Sequence, residues 1–142
     1  ILAGLVAITP AAGVVGVKGA LALGAIAAIG CYLVISLKGK LGYDDTLDAF
    51  GVHGAGGIIG AIFLVFFIRD SWAKPEGWTL GGQLLTQVKA VGATVLFATV
   101  MTLIIGFIVQ KTIGLRLCEK SERAGMDHDL HGERGYGLNN LN

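Results

Sequence analysis

Charge is what this sequence has least of. Of its 142 residues, 15% are Asp, Glu, Lys or Arg, against roughly 25% in a soluble domain, and so few cannot solvate a globular surface. Cysteine is nearly absent too. Cys31 lies in an apolar run and Cys118 in a charged tail, a placement that supports neither a disulfide framework nor a metal site. No basic patch with interleaved aromatics occurs and the net charge is +1, so nothing points to nucleic acid. The opening Ile1-Leu2-Ala3-Gly4 has no Met and no basic leader, so this segment is expected to be neither a signal nor a transit peptide. With a Gly-rich break at Thr9-Pro10-Ala11-Ala12-Gly13, the first segment is expected to be the tail of a span that begins upstream.

What remains is apolar: 54% hydrophobic residues, 23 Gly and a mean hydropathy of +0.71. The few charges fall between long uncharged runs at 1–17, 19–37, 49–68 and 90–110. Each is close to the roughly 20 residues that a helix needs to cross hydrocarbon. Buried helices of a soluble protein would show one polar face, and these do not. An all-α, polytopic transmembrane protein is expected, with spans at 19–37, 49–68 and 79–112 after the partial first one. The last, helical throughout, would measure about 50 Å at roughly 1.5 Å per residue, so it must tilt or project from the bilayer.

Alternating crossings assign Lys38, Lys40, Lys111, Arg116, Lys120, Arg123 and Arg134 to one side and only Lys18, Arg69 and Lys74 to the other. The richer side is cytoplasmic by the positive-inside rule, and it carries the C-terminus of a multi-pass protein of the plasma membrane. Within it, Lys38 and Lys40 follow a helix end while Asp44, Asp45 and Asp48 precede the next helix start, as the macrodipole favours, with Asp44 or Thr46 expected as N-cap. On the opposite side the turn from Arg69 to Trp78 places Trp72 and Trp78 at the interface belt. The chain thus divides into a membrane region, 1–113, and a charged cytosolic tail, 114–142. The tail has no apolar run able to form a core, so it docks on something or stays mobile.

One ionisable side chain lies inside a span. His53 has no water partner in hydrocarbon, which makes it a functional candidate. Ala49, His53, Gly57, Gly60 and Leu64 follow at steps of three and four, so His53 shares a face with small residues. Such residues admit either a close helix neighbour or a narrow path, and a packing histidine bonded across a helix interface is the competing reading. A neutral imidazole donates from one nitrogen and accepts at the other, and so passes a polar molecule or a proton onward without holding charge in the membrane. No metal is expected at His53, since no second ligand stands at suitable spacing. The His128-Asp129-Leu130-His131 pair has such spacing but sits in a charged, solvated segment. No cofactor is called for.

The string Asp44-Asp45-Thr46-Leu47-Asp48-Ala49-Phe50-Gly51-Val52-His53-Gly54, with Gly56-Gly57-Ile58-Ile59-Gly60 after it, resembles the signature of the ammonium transporter (Amt/Mep/Rh) family. Ala3 through Gly13 is similar to the family's preceding helix end and turn. Gly114-Leu115-Arg116 through Gly125-Met126-Asp127, then His131-Gly132-Glu133-Arg134-Gly135-Tyr136, resembles its cytosolic tail. The resemblance implies eleven helices in two inverted five-helix repeats plus a long last helix, a homotrimer with one pore per subunit, and a site near the midplane. This chain would be the C-terminal portion: the end of helix eight, then helices nine to eleven.

By the same resemblance His53 is the second of two pore histidines that hydrogen-bond each other, and Ala49 and Ile8 are pore residues. The family often has a larger aliphatic residue where Ala49 stands. Asp48, Phe50, Gly51, Gly54 and Gly57 would support the pore helix. Gly114, Arg116, Gly125, Asp127, His131, Gly132 and Glu133 would belong to a regulatory tail, which is phosphorylated in some members and lies at the face where PII-type proteins bind. The first histidine, the phenylalanine gate and the external recruitment site would lie upstream. The implied activity is transport and not enzymatic: ammonium loses its proton, ammonia crosses, and the proton returns through the histidine pair, which excludes potassium. An ammonium sensor on the same scaffold, with a kinase or cyclase domain after Asn142, and an unrelated membrane protein with a structural histidine are the alternatives.

Overall fold

An uncharged stretch in hydrocarbon has only its own backbone to satisfy its N–H and C=O groups, so it must be helical or part of a closed barrel. The computed structural model describes residues 1–69, 74 and 76–133, and every regular element among them is a helix. Only an isolated antiparallel bridge, Val15 with Ile68, departs from this. The interface turn residues Asp70, Ser71, Trp72, Ala73 and Pro75, and the tail's Arg134, Gly135, Tyr136 and Asn142, lie outside the described residues.

Helix α1 (Leu2–Ile8) tightens into a 3-10 turn at Thr9–Ala11, where Pro10 has no N–H to continue an α-helix. Helix α2 (Val17–Leu41) outlasts the uncharged run by a turn, so Lys38 and Lys40 fall in its last turn, where cations favour the dipole and long stems reach the interface. The expected helix at 49–68 is an 18-residue helical stretch, Phe50–Phe67, but not a uniform one. It opens as a π turn, Phe50–Gly54, continues as α3 (Ala55–Phe63) and closes as a 3-10 turn, Leu64–Phe67. Ile68 is extended. Helix α4 (Leu80–Thr112) matches the expected last span, and Gly82 N–H donates to the Thr79 hydroxyl at its start. With α2 and Phe50–Phe67, it is one of three helices long and apolar enough to cross a bilayer. The chain is part of a polytopic, all-α membrane protein.

Two units form. In Ile1–Leu96, α1, α2 and α3 meet around Ala7, Ala11, Leu23, Ala27, Leu64 and Val65, with Trp78 and Leu84 partly buried against them. Small residues make this contact possible. A Cβ on Gly60 would lie 2.8 Å from Ala7 Cα and closer still to the Ala7 carbonyl oxygen, so the backbones of α1 and α3 touch there, as small residues allow between membrane helices. Outside this seam the apolar side chains are turned out: Leu21 is 72% exposed and Ile29 65%, the pattern of surfaces that meet lipid or further helices.

In Phe97–Asn142, α4 runs on with Phe97, Leu103 and Phe107 exposed and ends at Gly114. That residue has φ +82°, a left-handed conformation that glycine adopts without penalty, and its N–H reaches the Val109 carbonyl at 3.0 Å. Two short helices follow, α5 (Glu119–Ala124) and α6 (Met126–His131). They turn at Gly125 and stop at Gly132, both with positive φ.

Candidate functional site around His53

The site begins with the loop before the π turn. The expected caps, Asp44 and Thr46, bond each other, the Thr46 hydroxyl donating to Asp44 Oδ1 at 3.1 Å. Asp45 caps instead. Its carboxylate accepts the N–H groups of Ala49 at 2.8 Å, Phe50 at 3.0 Å and Gly51 at 3.4 Å, three of the donors that a helix start leaves orphaned. Asp48 adopts φ +53°, the one described non-glycine residue with positive φ, and its carbonyl accepts the Val52 N–H at 2.8 Å. Its carboxylate pairs with the ammonium of Lys38, which also donates to the Asp45 carbonyl at 2.7 Å. Asp48 therefore ties the helix start to the end of α2.

The π turn follows at once. Ala55 N–H reaches back five residues to the Phe50 carbonyl, and π turns of this kind are frequent at functional sites. Phe50 stands edge-on to Tyr43, centroids 6.2 Å apart. Gly51 is buried where a Cβ would strike Ile35, and one on Gly54 would strike the Phe50 ring. The Cys31 thiol donates to the Val52 carbonyl at 3.8 Å. Gly51 and Val52 are thus held against α2.

His53 points the other way. It is exposed in this chain, at the edge of an apolar groove of about 690 Å³ lined by Leu2, Leu5, Val6, Thr9 and Pro10 from the first segment and by His53, Gly57 and Ala61. The groove contains two polar side chains, and the Thr9 hydroxyl proton is committed to the Leu5 carbonyl at 3.0 Å. The imidazole is left as the group able both to donate and to accept. The expected small-residue stripe divides here. Gly57 stays with His53 on the groove, whereas Gly60 and Leu64 are buried. Ala49 is exposed at the helix start, and Ile8 packs partly buried against the core cluster while Leu5, Val6 and Thr9 line the groove. Neither Ala49 nor Ile8 is among the groove residues.

The tail residues assemble separately. Arg116 forks onto Glu122 (Nε to Oε1 2.8 Å, Nη2 to Oε2 2.5 Å), and that guanidinium holds the Glu122 carboxyl below its ordinary value. Arg123 pairs with Glu119 one turn away at 2.6 Å. The Asp127 carbonyl accepts the Glu133 N–H at 3.3 Å, and the His128 carbonyl accepts the Gly132 N–H at 3.1 Å, the bond of an αL stop at the left-handed Gly132. His131 is the last residue of α6 and is exposed. The Ser121 hydroxyl, bonded to Cys118 at 3.2 Å, lowers that thiol's pKa. Among the described residues no group of three or more His, Cys, Asp or Glu side chains could hold a metal ion.

With this geometry established, comparison with known proteins gives a consistent result. The profile of the Ammonium Transporter Family matches residues 1–136. The chain belongs to the Ammonium Transporter Family. Curated relatives agree. An ammonium transporter of Aquifex aeolicus (strain VF5) is 43% identical over 141 residues, 97% of this chain and 33% of the relative. One from Bacillus subtilis (strain 168) is 43% identical over 140 residues, 95% of this chain and 35% of the relative. Ammonium transporter Amt1 of Archaeoglobus fulgidus is 38% identical over 137 residues, again 95% and 35%. The chain spans about a third of the length of these relatives.

Within this family segment the sequence singled out His53 as a candidate and expected Asp44 or Thr46 as the cap, where Asp45 takes the amides. Two adjacent aspartates before a helix look alike in sequence. Which of them reaches the amides is decided by the path of the loop.

Proposed function

We propose that this chain is the C-terminal third of an ammonium transporter and that His53 stands on the wall of its conduction path. The observation that carries the reading is the imidazole at the edge of an apolar groove, on a helix of membrane-spanning length whose other residues are uncharged. A bare cation in such a groove would be costly, whereas neutral ammonia needs only transient hydrogen bonds. A histidine bonds ammonia with one ring nitrogen and a second histidine, from the remainder of the protein, with the other, so a proton released at the mouth returns along the pair. Potassium carries no proton to release and is excluded.

On this reading the full protein has eleven helices with its C-terminus in the cytoplasm, and the exposed apolar faces of α2 and α4 meet lipid, the other helices and neighbouring subunits of a trimer. Ala49 and Ile8 belong to the path beyond this groove. The tail is a regulatory element: its Gly125 and Gly132 turns and local ion pairs give it a shape that a PII-type partner could grip. Exposed pairs contribute only about 0–1 kcal/mol each, so its docking is reversible. Full-length protein in proteoliposomes should pass ammonium and not potassium; equal fluxes of the two, or none of ammonium, would contradict the reading. Deleting 119–142 should change the rate or its regulation without preventing insertion, and wild-type kinetics in that variant would make the tail passive.

A further inference from the structure

We propose that Asp45 and Lys38 are positioning residues for His53, acting through the π turn; the inference rests on the transport role just given to the imidazole. A π turn holds one residue more than an α turn and persists only where its surroundings determine it. Here the determining contacts come from the loop before the turn and from the end of α2. The Asp45 carboxylate holds the first three amides of the helix, those of Ala49, Phe50 and Gly51. The Lys38 ammonium holds both ends of the four-residue segment 45–48, through the Asp45 carbonyl and the Asp48 carboxylate. Asp48, in its left-handed conformation, makes the chain reverse between these two anchors.

Lys38 also supplies the frame of reference. It belongs to the last turn of α2, and α2 presses on the same stretch through Ile35 at Gly51 and Cys31 at Val52. The first amides of the helix are therefore registered against α2 by Asp45, and the next bond in the chain of constraints is the five-residue reach from Ala55 N–H to the Phe50 carbonyl that encloses His53. If that turn relaxed to α geometry, residues before it would rotate by about 100° relative to α3, the angle of one residue at 3.6 per turn. His53 would keep its i, i+4, i+8 line with Gly57 and Ala61, but that line would turn against the start anchored on α2, and the place of the ring on the groove would change with it. An amide in place of the Asp45 carboxylate keeps a single acceptor oxygen and sets an NH2 group against backbone donors, so Asp45→Asn attacks this constraint with little change of volume. Lys38→Met removes the ammonium and keeps an apolar stem; Lys38→Arg keeps the charge.

The test uses the purified full-length protein with two readouts, ammonium transport in proteoliposomes and the rate at which diethyl pyrocarbonate modifies His53, followed by mass spectrometry. Misplacing a reacting group by an ångström can cost up to a hundredfold, so Asp45→Asn and Lys38→Met should each lower the maximal rate on the order of tenfold, with the half-saturation concentration nearly unchanged, and slow His53 modification about threefold or more. Lys38→Arg should restore both. A His53 modification rate equal to wild type in Lys38→Met and Asp45→Asn, or a loss of transport that only tracks the amount of unfolded protein, would overturn the proposal. Should Asp45→Asn fail to fold, the Lys38 pair decides alone. A wild-type protein that moves no ammonium would sink the transport reading, while the modification rates would still decide whether the loop positions the ring.

Discussion

Gly60 and Gly57 sit three residues apart on the same helix, and the structure gives them opposite tasks that alanine substitution separates. A Cβ at Gly60 strikes the Ala7 backbone, 2.8 Å from its Cα, whereas a Cβ at Gly57 meets nothing within 4 Å. Both substitutions gain the same helix preference, about 0.5–1 kcal/mol from the lost freedom of glycine. The difference between the two variants is therefore the strain alone. Overpacking costs about 1–3 kcal/mol, and the upper part of that range applies because the atoms struck are backbone, which cannot swing aside as a side chain would. Gly60→Ala should thus be less stable than Gly57→Ala by about 2–3 kcal/mol, on the order of thirtyfold to a hundredfold in an equilibrium constant. Thermal unfolding of the full-length protein in one detergent, with uptake measured in parallel, reads both effects. Gly60→Ala should lose stability. Gly57→Ala should hold its stability but slow transport, because its methyl group enters the groove beside His53. Equal stability in the two variants, or destabilisation by Gly57→Ala alone, would refute the placement of the seam and the groove.

Other outcomes follow from the same geometry. Single cysteines introduced beside Lys40 and beside Lys74 in the full-length protein should react with impermeant reagents from opposite sides of the membrane, and labelling from one side would overturn the order of crossings. In the tail, Arg116 depresses the Glu122 carboxyl, so the pair stabilises the folded tail above the unfolded carboxyl's pKa and loses that contribution as pH falls through the lower folded value. The protection of the α5 amides, measured against their intrinsic exchange rate at each pH, should accordingly fall on acidification, and Glu122→Gln should reduce that fall; an unchanged acid response in that variant would assign it to another group.

How much of this was legible in the sequence depended on how expensive each feature is. A charge in hydrocarbon is costly, so the uncharged runs announced the helices, and α4 began within a residue of its expected start. Glycine is the residue that adopts positive φ freely, so the ends at Gly114, Gly125 and Gly132 could be anticipated from residue type. His53 stood out because ionisable groups inside spans are rare. The cap was not legible, since Asp44, Asp45 and Thr46 are all good capping residues and differ only in where the loop carries them. The π turn was not legible either, because a hydrogen bond that slips by one residue leaves no signature in residue type. It was α1 packing over Gly60 that divided the stripe drawn through His53, Gly57, Gly60 and Leu64. Ile8 and Leu5 are equally apolar, and only the rotation of α1 decides that Leu5 lines the groove while Ile8 packs against the core.

The central claim is that the His53 imidazole handles ammonia within the path. The most direct measurement is ammonium-driven current in proteoliposomes holding equal amounts of full-length wild-type and His53→Ala protein, followed by the same pulse with potassium. The account predicts that the wild type carries current with ammonium alone, and that His53→Ala either loses that current or admits potassium. An ammonium current and a potassium exclusion identical to wild type would reduce His53 to a packing residue.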